Sequence, residues 1–149
     1  EVLIYDRILW AHDGSPQAVS AFPHVAAIAK AFGSQVIVCS VIEVDDGVGS
    51  TETRPAEGVV GNEVLALAAA GLRSEGIQDV RTLVMQGVAE RAVSDTARME
   101  DVQLIVVGTR ARGGVARAIV GSVSDAVTRS TPGIPVLVVH PDDDETDDN

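Results

Sequence analysis

The 149-residue chain holds one cysteine, one tryptophan, one tyrosine and one lysine, and each scarcity closes a route. A lone Cys39 excludes an intramolecular disulfide and a cysteine-based metal site, and it suits a reducing cytoplasm. Its setting, "VIVCSVI", reads as a buried structural thiol. The only lysine, Lys30, lies outside any Gly-x4-Gly-Lys-[Ser/Thr] pattern, which excludes a P-loop NTPase. No Gly-x-Gly-x2-Gly follows the first apolar run, so the usual dinucleotide fingerprint is missing. "HDGSPQ" also lacks the Gly-Gly-x-Asp-Ser turn of ATP pyrophosphatases. No apolar run reaches the roughly 18–20 residues that span a bilayer, and the acidic start at Glu1 is unlike a signal peptide. The initiator methionine is missing, which suggests a processed chain or a piece of a longer one. Positive charge is scarce too: 11 Lys and Arg face 22 Asp and Glu, and the net charge of −11 disfavours nucleic acid and anionic lipid as partners.

What is abundant is aliphatic. Apolar residues make up 46% of the chain and aromatics only 3%, as expected of a core built on buried β-branched strands. "RILWAHD" (Arg7–Asp13) reads as a first strand. Ser15 can cap a helix whose first position is Pro16, and that helix ends near Gly33, with Pro23 kinking or restarting it. "SQVIVCSVI" (Ser34–Ile42) is a second strand, apolar on both faces. The segment Glu43–Asn62 has no clear period and reads as a mobile surface loop, its first acidic residues facing solvent. "EVLALAAAGLRSEG" is a helix stopped by Gly76, "VRTLVMQG" a third strand and "AERAVSDTARME" a helix. "VQLIVVG" is the fourth strand, "SVSDAVTRST" a short helix and "IPVLVVH" (Ile134–His140) the fifth strand. Strands alternating with helices predict one α/β domain over residues 1–141, a doubly wound five-stranded parallel sheet with helices on both faces. Residues 142–149 form a disordered acidic tail.

Ligands of such sheets sit beyond the carboxyl ends of the strands, where strand order reverses. Two stretches mark those ends. "VVGTRARGGVARAIVGSVSDAV" (Val106–Val127) leaves the fourth strand at Gly108 through a loop carrying Gly113, Gly114, Arg110, Arg112 and Arg117. It restarts as a helix behind Gly121. The first turn of that helix, Ser122, Val123 and Ser124, offers unpaired N–H groups where the helix dipole is positive, a ready cradle for an anion. Its arginines can add charge-assisted contacts. The same glycines would equally serve turns alone, with Ser122 a simple cap. After the first strand, Asp13-Gly14-Ser15 places a carboxylate that can take a ribose or fold onto its own main chain. His12 has no nucleophile visibly paired with it and reads as structural. His24 and His140 lack metal-ligand spacing.

Together, "YDRILWAHDGSPQAVSAF" and "LIVVGTRARGG…GSVSDAVTRSTPGIPVLVVH" resemble the universal stress protein family, over nearly the whole chain. That resemblance implies a Rossmann-like sheet of order 3-2-1-4-5 and binding of ATP, AMP or cyclic AMP through Gly-x2-Gly-x9-Gly-[Ser/Thr]. Gly108 and Gly121-Ser122 match that pattern at its spacing, and Ala111 occupies the second glycine position. If that position needs φ > 0, alanine there costs about 1–2 kcal/mol, near a tenfold loss in affinity. By resemblance, Ala11, Asp13 and Val41 face the adenine and ribose. Gly108, Arg110, Ala111, Gly121, Ser122, Val123 and Ser124 face the ribose and phosphates, and Mg2+ accompanies ATP with its protein ligands unassigned. The resemblance also implies homodimers, formed through Ile134–His140.

Three functions compete. The first is a cytoplasmic adenine-nucleotide-binding stress or signalling protein without fast catalysis, since no residue set for efficient hydrolysis is visible. The second is a nucleotide-independent homodimeric interaction module. The third is an enzyme of the wider adenine-nucleotide-using α/β group, which would need a catalytic pair that the sequence does not display.

Overall fold

The computed structural model describes residues 4–43, 52–56, 62–108 and 122–141, with Glu90 and residues 122–125 described in backbone only. The elements follow one another as β1 (Arg7–Ala11), α1 (Pro16–Val19), α2 (Phe22–Phe32), β2 (Gln35–Glu43), β3 (Arg54–Pro55), α3 (Glu63–Ser74), β4 (Val80–Gly87), α4 (Ala89–Met99), β5 (Leu104–Gly108), α5 (Ser122–Ser130) and β6 (Val136–Val139). Local chemistry sets the boundaries. Ser15 caps α1, its Oγ accepting from the Ala18 N–H at 3.1 Å, and Pro16 opens the helix. Pro23 cannot continue α1 but fits the first turn of α2, so the expected single helix becomes two. Asn62, unnoticed inside an aperiodic stretch, caps α3 by accepting from the Val64 and Leu65 amides at 2.9 and 3.2 Å.

The sheet runs β3-β4-β2-β1-β5-β6. Its five parallel strands stand in the expected order, with Trp10 of β1 opposite both Val38 of β2 and Val106 of β5. Alternation along each strand sends side chains to two cores. Ile8, Trp10, Val36, Val38 and Val106 pack with α2 and α3 residues such as Val25, Leu65 and Leu72. Leu9, Ile37, Ile105 and Val107 pack with Val93 and Ala97 of α4 and Val127 of α5. Helices thus cover both faces, as right-handed crossovers require.

The expected count of five all-parallel strands needs correction. β3 is a sixth, antiparallel to β4, pairing Arg54 with Gln86 and Pro55 with Met85. Residues 52–56 are therefore tied down rather than loose. The Ala56 N–H donates to the Val84 carbonyl at 2.9 Å, and the Thr53 hydroxyl donates to Asp95 at 2.6 Å. Two residues are too few to leave an alternating pattern, which is why the strand was invisible in sequence. The rest of the Glu43–Asn62 loop, residues 44–51 and 57–61, lies outside the described residues, as does the tail 142–149.

Cys39 meets its expectation. It is 1% exposed, and burial pushes its thiol up to about 12, a rise that the Thr96 hydroxyl beside it only partly offsets. Native protein at pH 8 should resist iodoacetamide for hours and label fully in guanidinium, because the thiolate is the nucleophile. Mass spectrometry reads the outcome, and fast labelling of the folded protein would contradict it.

Candidate functional site

β1 is flanked by β2 and β5, and the chain winds away from it in both directions, so the topological switch point lies at the carboxyl ends of these three strands. Beyond half-buried Ala11, a chain of short hydrogen bonds shapes the turn. The His12 N–H donates to the Cys39 carbonyl at 2.8 Å, prolonging the β1–β2 ladder. The Gly14 N–H donates to His12 Nδ1 at 3.0 Å, and the Ser15 N–H donates to Asp13 Oδ1 at 2.9 Å. Gly14 sits at φ +84°, a left-handed conformation suited to glycine, and an added Cβ would lie 3.3 Å from a Val64 methyl.

The Asp13 carboxylate is exposed. Partial burial works against its charge, but hydrogen bonds from the Ser15 hydroxyl and backbone outweigh that and hold its pKa below the ordinary value. One oxygen closes the turn on its own main chain, and the anionic group is at the surface. His12 is 5% exposed. Burial lowers its pKa, and the neighbouring Asp13 charge offsets this only in part.

Val41, near the end of β2 and opposite Met85 of β4, brings backbone to the same sheet end. Gly108 ends β5 opposite Val139 of β6. The sequence offers Gly108 as a place for close approach to a ligand, yet its closest partner is the protein itself. A Cβ there would collide with the Gln17 carbonyl and stand 3.0 Å from the Ala18 nitrogen. The glycine lets α1 settle backbone to backbone on the end of β5.

β5 and β6 are parallel, so α5 between them runs back antiparallel, and its first turn opens beyond the strand ends. That places the Ser122, Val123 and Ser124 amides on the side of the turn at Asp13. The far end of α5 is fixed by Arg98, whose Nη1 donates to the Ser130 carbonyl at 2.9 Å, and by a 2.7 Å hydroxyl contact between Ser94 and Ser130. Arg110, Ala111 and Gly121 lie outside the described residues, as do the remaining arginines and glycines of that loop.

Sequence reasoning missed two roles. His12 is an acceptor for the turn. Glu43, expected to face solvent, is exposed but also accepts from the Ala89 N–H at 3.2 Å, supplying the cap that Val88 cannot give α4. Only the two-residue spacing from His12 to a turn glycine hinted at the former. Among the described residues no group of three or more His, Cys, Asp or Glu is gathered as a metal site, and no helix is long and apolar enough to cross a membrane.

The universal stress protein family model matches residues 4–140. The chain belongs to this family. A universal stress protein of Methanocaldococcus jannaschii is 30% identical over 146 residues, covering 91% of this chain and 82% of that protein. One from Thermus aquaticus is 31% identical over 137 residues, covering 91% and 99%. A crystal structure of a universal stress protein in complex with cAMP superposes with a TM-score of 0.69 at 22% identity, over 91% of this chain and 97% of that one, a likeness of fold. Universal stress protein architecture thus accounts for the order of the five parallel strands found here.

Proposed function

We propose that this universal stress protein binds an adenine nucleotide, ATP, AMP or cyclic AMP, beyond the carboxyl ends of β1, β2 and β5, and acts in stress response or signalling without fast catalysis. What supports this reading is that the Asp13-Gly14-Ser15 turn with its exposed carboxylate and the opening turn of α5 both lie beyond the carboxyl ends of the parallel strands. The cAMP held by a protein of the same fold supports it. In this reading Ala11, Asp13 and Val41 face the base and ribose. The α5 amides and dipole, with Gly108, Arg110, Ala111 and Gly121, take the phosphates, the classes of interaction that favour an anion at a helix start. Mg2+ would arrive with ATP.

The test is calorimetric titration with ATP, AMP and cyclic AMP, with and without magnesium, of wild type and Ala111→Gly. Wild type should bind at least one, and Ala111→Gly about tenfold more tightly if the position needs φ > 0. If neither protein takes up any of them at millimolar concentration, the reading fails.

A second reading, a nucleotide-independent homodimer, has two observations in its favour. Gly108 has a packing duty that needs no ligand. β6 ends the sheet with Val136, Leu137 and Val138 only half-buried, an apolar edge that a partner through Ile134–His140 would cover. Protein that is dimeric in solution, free of adenine after denaturation and silent in the titration would select it.

A further inference from the structure

We propose that His12 is the positioning residue of this site: its neutral ring, by accepting the Gly14 N–H, holds the Asp13–Ser15 turn in its binding shape, so that protons and nucleotide compete. The turn belongs to the structure; the competition rests on the nucleotide reading.

An N–H aimed at Nδ1 from 3.0 Å needs a lone pair there, so the ring's single proton sits on Nε2. A second proton must go to Nδ1, which sets donor against donor and breaks the bond. The ring cannot swing away to relieve this. It is 5% exposed and lies 4.8 Å from the Trp10 ring, which is itself 1% exposed and flanked by Phe22. Gly14, released, is in the left-handed region, and an added Cβ there would meet the two Val64 methyls. The next links in the chain are Asp13 to Ser15 and Ser15 to Ala18, so the disturbance falls on the exposed carboxylate and on the start of α1.

Among the described residues, Asp13 is the charged group whose field acts on the ring, and it favours protonation. Burial opposes and wins, so the folded value lies below the ordinary 6.5. The sign follows: the bond is intact above the ordinary value and is lost as pH falls below it through the folded one. Asp13, held below its own ordinary value, stays charged across that window and is not the titrating group.

The experiment uses wild type, His12→Asn, whose side-chain carbonyl can take the Gly14 N–H without titrating, and His12→Phe, which keeps a ring and loses the acceptor. Trp10 is the only tryptophan, and an imidazolium beside it quenches its fluorescence. Wild-type fluorescence should fall with a midpoint below 6.5, and Kd for ATP should rise about tenfold over the same window. The Asn variant should show no fluorescence midpoint and only the pH dependence of ATP itself. The Phe variant should bind about tenfold more weakly than wild type at pH 8. Fluorescence that titrates while affinity follows the Asn variant overturns the proposal, as does an Asn variant with the full wild-type pH dependence. If no variant binds ATP, AMP or cyclic AMP at any pH, the nucleotide reading has failed instead. The Gly14 amide resonance then decides the turn: movement through the fluorescence midpoint upholds the His12 role, and no movement overturns it.

Discussion

Gly108→Ala should lower the melting temperature by about 10 °C with no nucleotide present. The added methyl meets the Gln17 carbonyl and the Ala18 nitrogen, main-chain atoms that cannot rotate aside as a side-chain tip would. Overpacking a well-filled interior costs about 1–3 kcal/mol, and a collision with backbone belongs at the upper end. For a domain of this size each kcal/mol shifts the melting point by about 2–4 °C. Relief would require α1 to lift from β5, and Ser15 at its cap would carry the Asp13 turn with it. Circular dichroism melting of ligand-free protein checks this. A melting point within about 2 °C of wild type would show that α1 is not seated on the strand end as described.

Trp10→Ala should cost about 4 kcal/mol, and Trp10→Phe about 1 kcal/mol or less. The indole is the largest fully buried side chain, 1% exposed in the core between the sheet and α2 and α3. Alanine leaves a void that β1, with strands on either side, cannot close by moving. Phenylalanine leaves a smaller one and also removes a liability. The indole Nε1–H is buried with no acceptor among the described residues, and such a group costs about 1–3 kcal/mol. Losing it offsets much of the lost contact. Urea denaturation followed by circular dichroism measures both variants. A Phe variant as unstable as the Ala variant would mean that the N–H is satisfied after all.

The fold was legible where the signal is local. Ser15 before Pro16, Pro23 a few residues later, and apolar runs such as "LIVV" act through atoms close along the chain, and the elements fell where those residues put them. Asn62 caps as Ser15 does, but it closes a stretch without a period, and only the helix that starts at Glu63 marks it. β3 owes its existence to Thr53 reaching Asp95 and to pairing with β4, contacts between distant segments. The site divides the same way. Asp13 could be located and its fold onto its own main chain foreseen, because an Asp-Gly-Ser turn closes through neighbouring atoms. Gly108 could be located but not explained, because its neighbour Gln17 comes from the other end of the domain. His12 was set aside as structural for want of a nucleophile, whereas its partner is a backbone amide two residues on.

The two rims of the sheet are not equivalent toward other polypeptides. Ala56 turns its N–H inward to Val84, so the preceding nitrogen faces outward, and in Pro55 that nitrogen carries no hydrogen. A strand approaching β3 finds a missing donor on a two-residue stub, whereas β6 has no strand beyond it among the described residues. Edge-to-edge addition of identical sheets through β6 consumes the receptive rim of both copies. Among the described residues β3 is the poorer template of the two, so such addition is expected first at β6.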